Sequence, residues 1–179
     1  TYEEAAVLYR SNAQSRAIEE ALLRVNIPYR IYGGLRFYER LEIKNAISYL
    51  RIIFNNNDNP SFERSISNPT RGVGEKTLAK IRNAAKQYNI SYIKASAKLI
   101  DEGKISGRGG SGLNDYLEFI AGCKGFIEEN SLSDLMELII KETGLYAYHA
   151  KEAGEKGKTR TENLEELITA TKNFEQSIK

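Results

Sequence analysis

From Gly34 to the C-terminus the apolar residues recur at helical spacing and almost nowhere alternate, which excludes a sheet-built fold for most of the chain. Ile43, Ala46, Ile47, Leu50, Ile53 and Phe54 form one stripe, and Leu78, Ile81, Ala85 and Tyr88 a second. Leu113, Tyr116, Leu117, Ile120, Cys123 and Ile127 form a third, and Leu164, Leu167, Ile168 and Thr171 a fourth. Breaks are expected at Asn55–Pro60, at Asn68-Pro69, in the glycine cluster Gly103–Gly112, and at Gly154–Gly157.

The first 32 residues read differently. Ala5–Tyr9 has the composition of a short buried strand, and Ser11 with Gln14 three residues on forms a capping box. The helix that follows carries Ala17, Ile18, Ala21, Leu22 and Val25 as its apolar face, with Arg16, Glu19, Glu20 and Arg24 between them. Asn26-Ile27-Pro28 ends it, and Tyr29–Tyr32 reads as a second strand. Strand, helix and strand in this order suit a parallel α/β unit. The expected organisation is therefore a short incomplete α/β segment over residues 1–32 and a helical domain over 33–179, mainly α in all. The boundary falls on Gly33-Gly34, which suits either a hinge or a plain turn, since glycine restricts φ least.

Composition limits what such a chain can do. Its 26 Lys+Arg against 24 Asp+Glu leave a net charge of +2, too balanced for a nucleic-acid coat, so any phosphate contact must come from local geometry. The single cysteine, Cys123, excludes a disulfide framework and points to a reducing, cytosolic compartment. No apolar run is long enough to span a bilayer, so no membrane role is expected. The start, Thr1-Tyr2-Glu3-Glu4, lacks an initiator Met and suggests a piece cut from a longer protein.

The strongest local chemistry lies in Asn68-Pro69-Thr70-Arg71-Gly72-Val73-Gly74-Glu75-Lys76-Thr77. Pro69 cannot continue a helix, and Gly72 and Gly74 let the backbone turn tightly. A helix starts at once, so its unpaired N–H groups form an anion site, with Arg71, Lys76 and Lys80 supplying positive charge. The pattern has the look of a helix–hairpin–helix element that grips the sugar-phosphate backbone without reading sequence. The alternative is a tight interhelical turn with solvated lysines. A second candidate is Arg10 with Asn12, after the first expected strand, where α/β proteins place ligands. There the alternative is an ordinary exposed arginine beside a helix cap.

Other motifs fail on context. Gly107–Gly112 matches Gly-x-Gly-x-x-Gly with no strand before it. Gly154–Thr159 echoes a phosphate-binding loop, but Glu152 stands where its first glycine is required. His149 has no metal-ligand spacing around it, and Cys123 falls on an apolar helix face.

Taken in order, Ala6–Arg16, Tyr32–Arg40 with Glu42-Ile43-Lys44, Asn68–Gly74, and Gly154–Arg160 with Glu162–Leu167 resemble segments of the UvrD/Rep/PcrA-type superfamily 1 DNA helicases. Val73 stands where that family's Gly-Ile-Gly motif has isoleucine. The resemblance implies that residues 1–32 are part of the second RecA-like domain (2A) and that residues 33–179 are most of the helical domain inserted in it (2B). It implies duplex contact by Arg71, Gly72, Gly74, Lys76 and Thr77, single-stranded DNA contact by Arg10 and Asn12, and a swivel at Gly33 and Gly34. The parent protein would be an ATP-dependent 3′-to-5′ helicase using ATP and magnesium. This chain would hold no cofactor and catalyse nothing itself, because phosphoryl transfer needs a phosphate cradle, a lysine, a metal site and an arginine that it lacks. The implied partners are a single-strand/duplex DNA junction, the rest of the helicase and DNA-repair proteins, in the bacterial cytoplasm at the nucleoid. A stand-alone helix–hairpin–helix repair adaptor and a protein-interaction domain are the rival readings.

Overall fold

A computed structural model describes residues 5–32 and 34–178 of the chain. Among them are nine α-helices and no strand: α1 Ser15–Arg24, α2 Leu41–Phe54, α3 Asn59–Ser67, α4 Glu75–Tyr88, α5 Tyr92–Asp101, α6 Gly107–Glu129, α7 Leu132–Glu142, α8 Leu145–Ala150 and α9 Glu155–Ser177. The mainly α expectation holds. The helix ends follow local chemistry. Asp58 caps α3 through Ser61 N–H with Pro60 in the first turn, Ser131 and Asp134 form a capping box on α7, and left-handed Asn89 closes α4.

α2 is the central helix, packed against α3, α6, α7 and α9. Its residues Ile43, Ala46, Tyr49, Ile52 and Ile53 lie in one core with Phe62, Ile66, Ile81, Leu113, Tyr116, Leu135, Ile139 and Leu164. Cys123 is buried in the same core. Edge-on aromatic contacts run from Phe62 to Tyr116 (5.5 Å between centroids) and from Phe62 to Tyr92 (5.9 Å). The core takes no residue from before Phe37 among those described.

The segment before Phe37 departs from expectation in two ways. The two expected strands, Ala5–Tyr9 and Tyr29–Tyr32, form no ladder. A strand needs a partner for its N–H and C=O groups, and no neighbouring strand exists among the described residues. Leu8 is 95% exposed as a result. The capping box at Ser11 and Gln14 does form, and α1 follows it, but with the opposite face turned inward. Arg16 and Glu19 are buried, whereas of the expected apolar face Ala17, Ala21 and Val25 are exposed and Ile18 and Leu22 only half-buried. Charge pairing sets that orientation. Arg16 Nε meets Glu166 of α9 at 2.6 Å, and Glu19 accepts from Ser15 Oγ (2.8 Å), Tyr29 OH (3.2 Å) and Phe37 N–H (3.2 Å). Ser11 Oγ adds a bond to Glu162 of α9 at 3.0 Å.

A third difference concerns the glycine cluster. Gly103–Ser106 is irregular, as expected, but Gly107–Gly112 forms the first turns of α6. Gly154, likewise, is the cap of α9 rather than the centre of a loop.

Candidate nucleic-acid interface

The Asn68–Gly74 connection joins α3 to α4 through a cis Asn68-Pro69 bond and a left-handed Gly72 (φ 76°). Gly74 caps α4 in an extended conformation with no side chain bonded to the helix end. Thr77 and Leu78 N–H both return to Gly74 C=O, at 2.9 and 3.0 Å. The N–H groups of Gly72, Val73, Gly74, Glu75 and Lys76 donate to no acceptor among the described residues. Gly72, Gly74, Glu75 and Lys76 are exposed, and Val73 is half-buried against the core. Such an end carries roughly half a positive charge, and an anion placed there gains about 0.3–2 kcal/mol.

The flanking charges divide sharply. Lys76 is exposed and makes no ion pair among the described residues. Lys80 Nζ bonds Lys104 C=O at 3.0 Å. Glu75, the acid in the first turn of α4, is drawn onto Arg82, which also holds Glu63 of α3 through two bonds of 2.6 and 2.7 Å. That pairing keeps the Glu63 carboxyl below its usual range. Arg71 turns inward. Its Nη1 donates to Ser65 C=O (3.2 Å) and Pro69 C=O (2.8 Å), its Nη2 donates to Thr143 C=O (3.1 Å), and the guanidinium lies over the Tyr49 and Tyr116 rings.

The glycine run that opens α6 is part of this site, which its sequence did not suggest. A Cβ on Gly109 would stand 3.0 Å from Gly72 C=O, and one on Gly112 only 2.0 Å from Arg71 C=O. The run is therefore a seat for the turn, smooth because it has no side chains. Just before Gly109, Arg108 is exposed, with its Cγ 3.2 Å from where a Gly72 Cβ would be. A shallow recess beside the turn is lined by Thr70, Arg71, Arg108, Ser111, Gly112 and Asp115. Arg108 could have been found only by asking why so many glycines stand at the head of one helix.

Arg10 and Asn12 lie apart, with no hydrogen bond to the turn. Both are exposed. Arg10 N–H bonds Gln14 Oε1 at 3.0 Å, and Asn12 C=O accepts from Arg40 Nη1 at 2.9 Å, so their backbones are fixed while their side chains are open. Gly33 lies outside the described residues. Gly34 needs no left-handed φ, and a Cβ there would meet only Ile31, at 4.0 Å.

The residues do not fit a nucleotide. Gly154–Thr159 begins α9, and a Cβ on Gly157 would stand 2.3 Å from Glu152 C=O, so that glycine serves helix packing and leaves no cradle. His149 is fully buried with Nδ1 2.7 Å from Glu152, which holds that carboxyl down at about 2. Among the described residues no group of three or more His, Cys, Asp or Glu could hold a metal, and no helix is long and apolar enough to cross a membrane.

Residues 1–106 match the model of the UvrD-like helicase C-terminal domain. The chain is 47% identical over 171 residues to DNA helicase II of Escherichia coli, covering 96% of this chain and 24% of that protein. It is 48% identical to DNA helicase II of Haemophilus influenzae, again over 96% of this chain and 24% of that protein. It is 37% identical to the ATP-dependent DNA helicase PcrA of Leuconostoc citreum, over 97% and 23%. The chain thus spans about a quarter of the length of these relatives.

Proposed function

The chain belongs to the UvrD-like helicase C-terminal domain family, and from that premise we propose that it is the duplex-gripping arm of an ATP-dependent 3′-to-5′ DNA helicase. ATP and magnesium would be held by the other three-quarters of the protein. The observation that carries this reading is the run of unbonded main-chain donors from Gly72 to Lys76 at an uncapped helix start, with exposed Lys76 and Arg108 beside it. Amides in a row meet phosphate oxygens of any sequence, which suits a grip that must slide. Thr77, half-buried one turn into α4, adds a hydroxyl at the edge of the site.

A few such contacts hold weakly and in a salt-dependent way, so the arm guides the duplex ahead of the fork while a motor elsewhere pulls the single strand. The same reading gives the exposed side chains of Arg10 and Asn12 to that strand and makes Gly33-Gly34 the joint between residues 1–32 and the helical domain. It also accounts for the exposed apolar side chains at the end of α1: Leu23 and the following Val25 would pack on the rest of the helicase.

Gly74→Tyr is the direct test. A Cβ at Gly74 meets nothing within 4 Å, and its φ of −92° suits any residue, so the side chain covers the amides without disturbing the fold. Fluorescence anisotropy with a tailed hairpin DNA should show binding weakened at least ~10-fold, about 1.4 kcal/mol, at unchanged melting temperature. Unchanged affinity would remove the turn as the grip.

A further inference from the structure

The motif's arginine has a different job from the residues around it. Arg71 stands between the C-terminal ends of two helices. Ser65 C=O belongs to the last turn of α3 and Thr143 C=O closes α7, and both accept from its guanidinium together with Pro69 C=O. Helix C-termini carry the negative end of the dipole, so a cation is favoured there. Its faces are taken as well, by Tyr49 at 5.5 Å and Tyr116 at 5.7 Å. Tyr49 OH in turn shares its one proton between Ser65 and Asn68 C=O, at 2.7 and 2.9 Å. Reaching a phosphate would cost this guanidinium three hydrogen bonds and two stacked rings. On the opposite side the main chain of Arg71 and Gly72 rests on Gly112 and Gly109.

We propose that Arg71 is a positioning residue. It is an internal strut that joins α3, the turn and α7, pressing the turn onto the glycine seat of α6 so that the amides of Gly72–Lys76 stay aligned. DNA feels Arg71 only through those amides. Lysine cannot replace it, because an ammonium has neither the planar fork that reaches carbonyls on separate elements nor a face to stack.

This inference rests on the turn being the DNA grip, and the experiment separates the two. Binding of the tailed hairpin is measured across a salt series for the unaltered chain, Arg71→Lys, Arg71→Met, Gly112→Ala and Lys76→Ala. A residue that neutralises a phosphate takes about one from the slope of log affinity against log salt when removed. Lys76→Ala should do so. Arg71→Lys, Arg71→Met and Gly112→Ala should each weaken binding roughly 10-fold or more with the slope kept. In the unaltered chain, where no folding defect intervenes, NMR titration with the hairpin should shift the main-chain amides of residues 72–76 and leave the Arg71 side-chain signal in place.

Wild-type affinity in Arg71→Lys overturns the proposal, as does a slope reduced by Arg71→Met, or movement of the Arg71 side-chain signal on adding DNA. Should the Arg71 variants unfold, the titration of the unaltered chain decides. Gly74→Tyr binding normally would sink the grip itself, whatever Arg71 does.

Discussion

Tyr49 shows how much one buried hydroxyl carries. It is fully buried, shares its one proton between two carbonyls, and lies beside the Arg71 guanidinium. Burial pushes its hydroxyl up from 10.0 to about 12, against the pull of Arg71, and burial raises Tyr116 too. Because the folded state holds this proton more tightly, its contribution is complete below about pH 10 and is lost as pH rises toward about 12. We expect the melting temperature to fall steeply across that interval, and less steeply in Tyr49→Phe, with ~2–3 kcal/mol at stake. A parallel fall in both proteins would show that titration of Tyr49 does not drive the loss. Cys123 lies at the same scale: burial raises its thiol to about 11, leaving it an inert core residue.

At the scale of the element, α6 holds two kinds of glycine. Gly109 and Gly112 face the turn, and Gly112 has no room for a methyl group. Gly122 and Gly125, three turns on, are exposed, and a Cβ on either would meet nothing within 4 Å. Glycine inside a helix costs about 0.5–1 kcal/mol relative to alanine where nothing else depends on it. Gly122→Ala should therefore raise stability by roughly that amount, whereas Gly112→Ala should lower it by ~1–3 kcal/mol through overpacking. Thermal or urea melts of the two variants give the comparison. Equal effects would mean that the seat adapts and does not shape the turn.

At the scale of the whole molecule, Arg40 ties the segment before Phe37 to the helical core. Its guanidinium donates to Asn12 C=O (2.9 Å), Asn163 Oδ1 (2.8 Å) and Ser15 Oγ (2.7 Å), and lies over Phe37. Asn163 continues the network by donating to Glu42 at 2.6 Å. Burial lowers the Arg40 pKa while Glu19 and Glu42 hold the charge in place. Arg40→Met would strand those acceptors at a cost of about 3–5 kcal/mol. Limited proteolysis should then cut before Phe37 faster than in the unaltered chain, while the helical core resists. If the cutting pattern does not change, the Arg16–Glu166 and Ser11–Glu162 pairs suffice to hold α1.

Local information determined most of the helical part. The stripes beginning at Ile43, Leu78, Leu113 and Leu164 each became a helix, Cys123 went to the core, and the cap at Ser11 formed, because periodicity and capping need only a few neighbouring residues. The Gly72–Gly74 turn and the uncapped helix start after it were readable for the same reason. Tertiary structure decided everything that depends on distant partners. Arg71 points inward because a carbonyl 72 residues away and two rings from other helices receive it. The apolar face of α1 is left open because Glu166, 150 residues on, claims Arg16. Ala5–Tyr9 and Tyr29–Tyr32 stay unpaired because a strand is completed only by its neighbour. The glycines at the head of α6 became part of the site because only the fold brings the turn against them, and the composition of a segment does not state what will lie on top of it.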